Sequence, residues 1–183
     1  MKKLLLLLLL LFIGIISVWM LSAEFYRIKP TKQISGEYHD TLVKLALQSL
    51  PTLDVPVSSI LIYNGKIIGS GYNTVIRNSK IGEHAEMNAL SSAIQSLGFE
   101  KFKNLNRDSL ILITTFEPCL MCTGAIIEYN IKHVLIEKEK TFKHHLKEEW
   151  NKLNYQFLRT KIGAGNLQDS LFKLHPHFGI QEN

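Results

Sequence analysis

The stretch TTFEPCLMC at residues 114–122 contains both cysteines of this 183-residue chain, Cys119 and Cys122. They follow an apolar run typical of a strand and a proline typical of a helix start. A pair at this spacing indicates a redox couple, half of a metal site, or two buried thiols that happen to be close. A helix N-terminus stabilises thiolates in redox and zinc sites alike, so the choice depends on a third ligand.

The sequence around this stretch alternates between predicted strands and helices. Residues 37–50 have leucines at helical spacing, and Pro51 ends that helix. Two β runs within 55–73 meet at Asn64-Gly65, which suits a type I′ hairpin turn. The elements that follow are a helix at 83–98 ending at Gly98, a strand at 109–115, a helix at 119–129 and a strand at 131–137. This order predicts an α/β fold with a sheet between helices.

A third ligand stands at the start of the helix at 83–98. His84 opens that helix as Cys119 opens its own, so two helix N-termini can converge on one side of the sheet. His84, Cys119 and Cys122 would give Zn²⁺ three ligands and leave a fourth position for water, which is the catalytic pattern. A structural site would need a fourth protein ligand, and single histidines are more often surface or packing residues. The candidates are His133, His144, His145, His175 and His177.

Glu86 stands two residues after His84, close to the predicted metal without being needed as a ligand. A carboxylate there can take a proton from water and pass it to a leaving group. The alternative is a first-turn glutamate that only stabilises the helix dipole. Glu86 alone would favour that alternative, but its position beside His84 and a downstream Pro-Cys-x-x-Cys favours proton transfer.

The combination of HAE at 84–86 and EPCLMC at 117–122 resembles the zinc-dependent cytidine deaminase-like superfamily. Longer blocks look like those of bacterial tRNA-specific adenosine deaminases and their guanine deaminase relatives. These blocks lie at 55–73, 84–90, 113–127 and, in patches, 163–176. The resemblance implies a three-layer α/β/α sandwich, commonly assembled as a homodimer.

The resemblance also implies roles for single residues. One Zn²⁺ per chain is expected on His84, Cys119 and Cys122, with Glu86 as the catalytic proton shuttle. Asn73 and Ala85 are expected to bind substrate, and Asn73 is also a turn residue that closes the second strand. Glu117 is expected to support the site, and Pro118 to preset the helix after it. The implied reaction is hydrolytic deamination of a nucleobase, nucleoside or tRNA adenosine of purine type, by Glu86-assisted attack of zinc-bound hydroxide.

Some segments depart from these relatives. Residues 80–83 read Lys-Ile-Gly-Glu where relatives carry Asp-Pro-Thr and a small residue, and Ser58 and Ser59 replace a Gly-Ala pair. An insertion at 137–162 begins with charges of both signs, which favours a solvated helix face. Its apolar residues at helical spacing predict core or dimer packing, with base stacking by Trp150 or Tyr155 as the alternative. They are Phe142, Leu146, Trp150, Leu153 and Phe157.

The N-terminal residues 1–23 have a different character. Lys2 and Lys3 precede an apolar run at 4–21 that as a helix would reach about 27 Å. We expect an uncleaved membrane anchor rather than a cleaved signal peptide, because small residues are missing from the −3 position. Residues 24–36 are then a linker, and 37–183 a deaminase domain. A short basic tail usually stays in the cytoplasm, which predicts an extracytoplasmic domain.

Composition narrows the function class further. The chain is 46% hydrophobic, enough for one domain with a real core, and its net charge of +5 falls to +3 without Lys2 and Lys3. That charge is weak evidence for nucleic acid. The last residues predict no long C-terminal helix of the kind that holds RNA in tRNA-acting relatives, which weakens the tRNA assignment. An extracytoplasmic domain would favour a free base, nucleoside or nucleotide, and a cytoplasmic domain would favour tRNA again. Two other classes stay open: a thiol-disulfide oxidoreductase, and a membrane-tethered zinc domain without catalysis.

Overall fold

The computed structural model describes residues 2–25, 33–159 and 167–174. The chain divides into two compact units, Met1–Thr41 and Leu42–Asn183. The predicted boundaries at 1–23, 24–36 and 37–183 stay a prediction. Of the block at 163–176 that resembles relatives, only residues 167–174 lie within the described residues.

The first unit contains the helix α1, Lys2–Phe25, and the start of α2, Gly36–Leu47. Among the described residues, no helix is long and apolar enough to cross a membrane. The predicted membrane partner, through residues 4–21, is therefore not supported. The predicted extracytoplasmic location stays a prediction.

The second unit alternates strands and helices much as the sequence predicts. Its strands are β1 Ser58–Tyr63, β2 Lys66–Tyr72, β3 Leu110–Phe116 and β4 His133–Lys138. Its further helices are α3 Val75–Asn78, α4 Ala85–Leu97, α5 Phe99–Lys103, α6 Leu120–Glu128, α7 Phe142–Leu158 and α8 Leu167–Leu174. The short helices α3, α5 and α8 were not predicted. Helix α2 ends at Leu47, earlier than predicted, and Pro51 lies after it in a separate 3₁₀ turn, Leu50–Thr52.

The described strands form one sheet in the order β2-β1-β3-β4. Strand β1 pairs antiparallel with β2 and β3, whereas β3 and β4 are parallel. Asn64 and Gly65 both have positive φ, 49° and 76°, as the predicted type I′ turn requires. Because β2 and β3 run in the same direction, their carboxyl ends meet at one edge of the sheet, where α4 and α6 begin.

Helix α4 lies on β2 at two glycines. A Cβ at Gly69 would stand 2.3 Å from the Ala89 carbonyl oxygen, and one at Gly71 would stand 2.5 Å from that of Ala85. No side chain fits at such distances, so glycine is required for the helix backbone to approach the strand. This contact places the first turn of α4 over the carboxyl end of β2.

The core lies between one face of the sheet and helices α4, α5 and α6. Its buried residues are Leu61, Leu90, Ala93, Phe102, Leu110, Leu112, Ile126 and Ile131. On the other face, the Ser58 hydroxyl donates to the Leu42 carbonyl over 2.7 Å. Since side chains alternate along a strand, Ser58 and Leu61 point to opposite faces, and helical residues lie against both. The predicted mixed α/β class is confirmed.

The apolar residues of α7 do not pack into the core. The exposed fractions of Phe142, Leu146, Trp150, Leu153 and Phe157 run from 53% to 84%. The prediction of core packing for this face is therefore wrong. Dimer packing or base stacking by these residues stays a prediction.

Candidate metal centre

Three predicted ligands meet at one point. The Cys119 Sγ lies 3.5 Å from His84 Nδ1, the Cys122 Sγ lies 3.6 Å from it, and the two sulfur atoms are 3.6 Å apart. A tetrahedral zinc ion with bonds of about 2.3 Å to sulfur and 2.0–2.1 Å to nitrogen would separate its ligand atoms by about 3.5–3.8 Å. The observed triangle fits that geometry. A redox pair does not require an imidazole nitrogen at the ligand–ligand distance of a zinc site.

Two of the ligands occupy equivalent places in the fold. His84 is the N-cap of α4 and Cys119 the N-cap of α6, both with extended backbone angles. Within the described residues, neither side chain makes a capping hydrogen bond, so both are available as ligands. The positive dipole end of a helix stabilises thiolates, and the backbone N–H groups of Met121 and Cys122 are among the causes that lower the pKa of the Cys119 thiol.

The two thiols share one hydrogen bond. This contact with Cys122, over 3.6 Å between the sulfur atoms, is the largest cause that lowers the pKa of the Cys119 thiol to about 5. The same bond, together with burial, raises the pKa of the Cys122 thiol. The thiolate form is the one that binds zinc, so Cys119 is ready as a ligand at neutral pH and Cys122 becomes one when a metal displaces its proton.

Glu86 lies next to the ligand triangle and is 4% exposed. Its Oε2 accepts a hydrogen bond from the Cys122 thiol over 3.5 Å. Burial raises the pKa of the Glu86 carboxyl. Burial beside the ligand triangle argues against a glutamate that only stabilises a surface helix end, and proton transfer by Glu86 stays a prediction.

The other histidines do not join the centre. Among the described residues, His84, Cys119 and Cys122 form the only cluster of metal-ligating side chains. His133, His144 and His145 lie outside that cluster. His175 and His177 lie outside the described residues.

Asn73 and Ala85 occupy the strand end and helix start beside the centre. The Asn73 N–H donates to the Val57 carbonyl over 3.0 Å, and its Oδ1 accepts from the Val75 N–H over 3.4 Å, as expected of a turn residue. Ala85 is buried, and its carbonyl packs on Gly71. Substrate binding by either residue stays a prediction.

Asn88 is a structural residue that sequence reasoning missed. Its side-chain amide donates to the Tyr72 carbonyl over 2.8 Å and to the Thr74 hydroxyl over 3.0 Å. These are the two neighbours of Asn73, so Asn88 ties the end of β2 to α4. The available signal was a polar residue one helical turn after His84 within an otherwise buried helix face.

Glu83 holds the altered loop at 80–83. Its carboxylate accepts hydrogen bonds from the Asn78 amide and the Thr74 hydroxyl, and it pairs with Lys80. These three contacts lower the pKa of Glu83 to about 2. The loop at 80–83, which differs from that of relatives, is therefore held by a network of hydrogen bonds around Glu83, the residue just before His84.

Comparison with known families decides what this centre is. Residues 32–138 match the cytidine and deoxycytidylate deaminase zinc-binding region, and this segment contains the three clustered ligands and Glu86. The chain belongs to this deaminase family. Zinc is the family's metal, and the ligand triangle of this deaminase domain fits it.

Several curated relatives of this chain are tRNA-specific adenosine deaminases. A tRNA-specific adenosine deaminase of Buchnera aphidicola subsp. Schizaphis graminum is 39% identical over 82 residues, 45% of this chain and 51% of the relative. One from Buchnera aphidicola subsp. Baizongia pistaciae is 32% identical over 129 residues, 66% of this chain and 76% of the relative. The chain spans about half the length of several curated relatives.

The fold of this chain is also found in solved structures. Guanine deaminase from Bacillus subtilis aligns with a TM-score of 0.59 and 22% identity over 77% of this chain and 94% of that chain. A structure from work on tRNA:A34 deaminases aligns with a TM-score of 0.51 and 24% identity over 57% and 76%. At these identities the likeness shows the fold alone, and it confirms the predicted cytidine deaminase-like α/β class.

Proposed function

We propose that the chain is a zinc-dependent hydrolytic deaminase of a purine ring, with adenosine in tRNA as its first candidate substrate and free guanine as its second. The observation that carries this proposal is the buried Glu86 carboxylate beside the triangle of His84, Cys119 and Cys122. The order of substrates is supported by the curated relatives, which are tRNA-specific adenosine deaminases.

The metal would be held by His84 Nδ1 and the two cysteine sulfur atoms. When bound, zinc supplies Lewis-acid activation of water, which makes water a nucleophile at neutral pH. The water oxygen forms a bond to the ring carbon that carries the amino group, and the bond from that carbon to the amino nitrogen breaks. Ammonia leaves, and an oxygen takes its place on the ring.

Glu86 moves the protons of this reaction. Its carboxylate accepts a proton from the attacking water and returns protons to the ring nitrogen and the departing amine. Its burial among the ligands keeps bulk water from exchanging those protons. In this proposal Asn73 and Ala85, at the end of β2 and the start of α4, would contact the base. The hydrogen bonds of Asn88 and Glu83 hold the segments around them.

Ammonia release by the zinc-loaded full chain tests the proposal. The substrates are an adenosine-containing anticodon stem-loop RNA, guanine, adenosine and cytidine. We expect turnover of a purine substrate and a loss of about 10²–10⁴-fold in rate in Glu86→Gln with its zinc retained. The matched control is Glu128→Gln, an exposed glutamate at the end of α6, which should keep the full rate.

Three outcomes would contradict the proposal. Turnover of cytidine alone would exclude the purine assignment. A full rate in Glu86→Gln would exclude its role in proton transfer. Full zinc occupancy without turnover of any substrate would favour a domain that keeps zinc for stability alone.

A homodimer is part of the same proposal. The exposed apolar face of α7, residues 142–157, supports it, because such a patch on a soluble domain often marks an interface. Sedimentation velocity over a range of protein concentrations should show a concentration-dependent dimer. A monomer at every concentration would contradict it.

A further inference from the structure

Lys140, in the segment between β4 and α7, is a buried lysine with satisfied hydrogen bonds. Its side chain is only 5% exposed, although the sequence around it predicts a solvated surface. Its Nζ donates to the Pro118 carbonyl over 2.6 Å and to Glu148 Oε1, on α7, over 2.6 Å. A buried ammonium is retained only where its hydrogen bonds are satisfied and a carboxylate pairs with it, and Lys140 meets both conditions.

The residue before Pro118 is held from the same side. Glu117 Oε2 accepts a hydrogen bond from the Lys140 N–H over 2.8 Å and lies 3.3 Å from His145 Nε2. The Glu117 N–H donates to the Lys138 carbonyl over 2.9 Å. Both residues that precede the ligand Cys119 are therefore bound by residues 138–148, which belong to the end of β4 and the insertion after it.

We propose that Lys140, with Glu148 as its partner, is a positioning residue that fixes Cys119 for zinc. The Pro118 carbonyl belongs to the planar peptide unit that joins Pro118 to Cys119, so a hydrogen bond to that oxygen sets the orientation of the unit. Rotation of this peptide would swing Cys119 Sγ out of the triangle with His84 and Cys122. Residues around a ligand that orient it in this way tune metal affinity strongly.

In this inference the insertion at 137–162 supports the zinc ligand Cys119 and does not pack into the core. Helix α7 has no buried residue, and its residues Glu148 and His145 reach back to Lys140 and Glu117. The inference rests on the zinc site of the proposed function and not on its substrate. Zinc affinity therefore tests it even if no substrate is turned over.

Zinc affinity of the full chain, measured by competition with a chromophoric chelator, is the test. Lys140→Met keeps the length of the side chain and removes its charge and donors, and we expect zinc binding about 10–100-fold weaker. The absorption bands of the Co²⁺-loaded variant should shift, because Cys119 no longer holds its place. The matched control is Lys143→Met, an exposed lysine in the first turn of α7, which should bind zinc like the unchanged chain.

A merely structural role predicts a different result. Lys140→Met would then unfold at a lower temperature but bind zinc with unchanged affinity and give an unchanged Co²⁺ spectrum, and that result would overturn the inference. If Lys140→Met does not fold, Glu148→Gln decides, since it keeps an acceptor for Lys140 and removes only the charge. We expect about 10-fold weaker zinc binding in Glu148→Gln. Unchanged affinity there would overturn the inference as well.

Discussion

Helices α4 and α7 both support the metal centre, but different forces hold them. Helix α4 has 13 residues, five of them buried, and lies directly on Gly69 and Gly71. Helix α7 has 17 residues, none buried, and is attached through polar contacts to Lys140 and Glu117. The half of the site with His84 and Glu86 therefore depends on close packing, whereas the segment just before Cys119 is held by hydrogen bonds and charge.

The largest effect should come from filling the contact between α4 and β2. Gly71→Val would place a Cβ 2.4 Å from the Ala89 backbone nitrogen and 2.5 Å from the Ala85 carbonyl oxygen. Because both atoms are backbone, α4 must move, and we expect a loss of about 3 kcal/mol in the free energy of unfolding. Urea unfolding followed by circular dichroism measures it, and zinc content should fall with it.

Gly82→Ala is the control for this substitution, because nothing lies within 4 Å of a Cβ at Gly82. Its unfolding midpoint should be unchanged. An unchanged midpoint in Gly71→Val would mean that α4 does not depend on close packing, and the contrast between the two helices would fail.

A smaller effect is expected where α4 holds the loops rather than the sheet. Asn88→Ala removes the donor to the Tyr72 carbonyl and the Thr74 hydroxyl. Leaving such partly buried groups unpaired costs about 1–3 kcal/mol in the free energy of unfolding. The same urea measurement applies, with Asn104→Ala as the control, because the Asn104 bond to the Glu100 carbonyl is exposed. Equal losses of unfolding free energy in both variants would show that the hydrogen bonds of Asn88 contribute no more than the exposed bond of Asn104.

The contribution of Asp54 to stability should depend on pH, because its carboxylate accepts hydrogen bonds from the backbone of α3. Burial by itself would raise the pKa of Asp54, but hydrogen bonds from the Ile76 N–H, the Thr52 hydroxyl and the Arg77 N–H lower it below 3.8. A lowered folded-state pKa gives stability that is fully present above pH 3.8 and is lost as pH falls through the folded value. The stability difference between the unchanged chain and Asp54→Asn should therefore be constant above about pH 5 and shrink below about pH 4.

Urea midpoints of both proteins between pH 6 and pH 3 check this dependence, and the comparison cancels the loss of zinc in acid. A difference that stays constant down to the lowest pH would show that the Asp54 carboxylate contributes nothing to the folded loop.

The smallest effect is expected on the outer face of α7. Trp150 is 63% exposed, so Trp150→Ala should change the free energy of unfolding of the monomer by no more than about 0.5 kcal/mol. Urea unfolding at low protein concentration measures it, with Glu149→Ala as an exposed neighbour for comparison. A loss of about 3 kcal/mol would mean that Trp150 is a core residue and that α7 is held by packing after all.

Local signals in the sequence predicted much of this structure. The Asn64-Gly65 turn has the two positive φ angles that its residues allow, and Gly98 ends α4 with a φ of 83°. The helix starts after His84 and Cys119 also follow from residues close in sequence. Two helix N-termini predicted on one side of the sheet, each opened by a ligand, were the basis for predicting that His84 and Cys119 meet at one metal centre.

Contacts between distant segments could not be predicted in the same way. Gly69 and Gly71 are required only because α4 lies on β2, and nothing in their own segment shows this. Lys140 belongs to a run of mixed charges that predicts a solvated helix, yet the carbonyl of Pro118, 22 positions earlier, makes it a buried residue. The apolar residues of α7 suggested the core by their spacing, but spacing alone does not tell which surface covers a helix face.

The central claim is that His84, Cys119 and Cys122 hold one zinc ion. X-ray absorption at the zinc edge of the zinc-loaded full chain tests it most directly. The account predicts one zinc per chain, with two sulfur ligands at about 2.3 Å and the remaining nitrogen and oxygen ligands at about 2.0–2.1 Å. A shell without sulfur, or with more than two sulfur atoms per zinc, would contradict it.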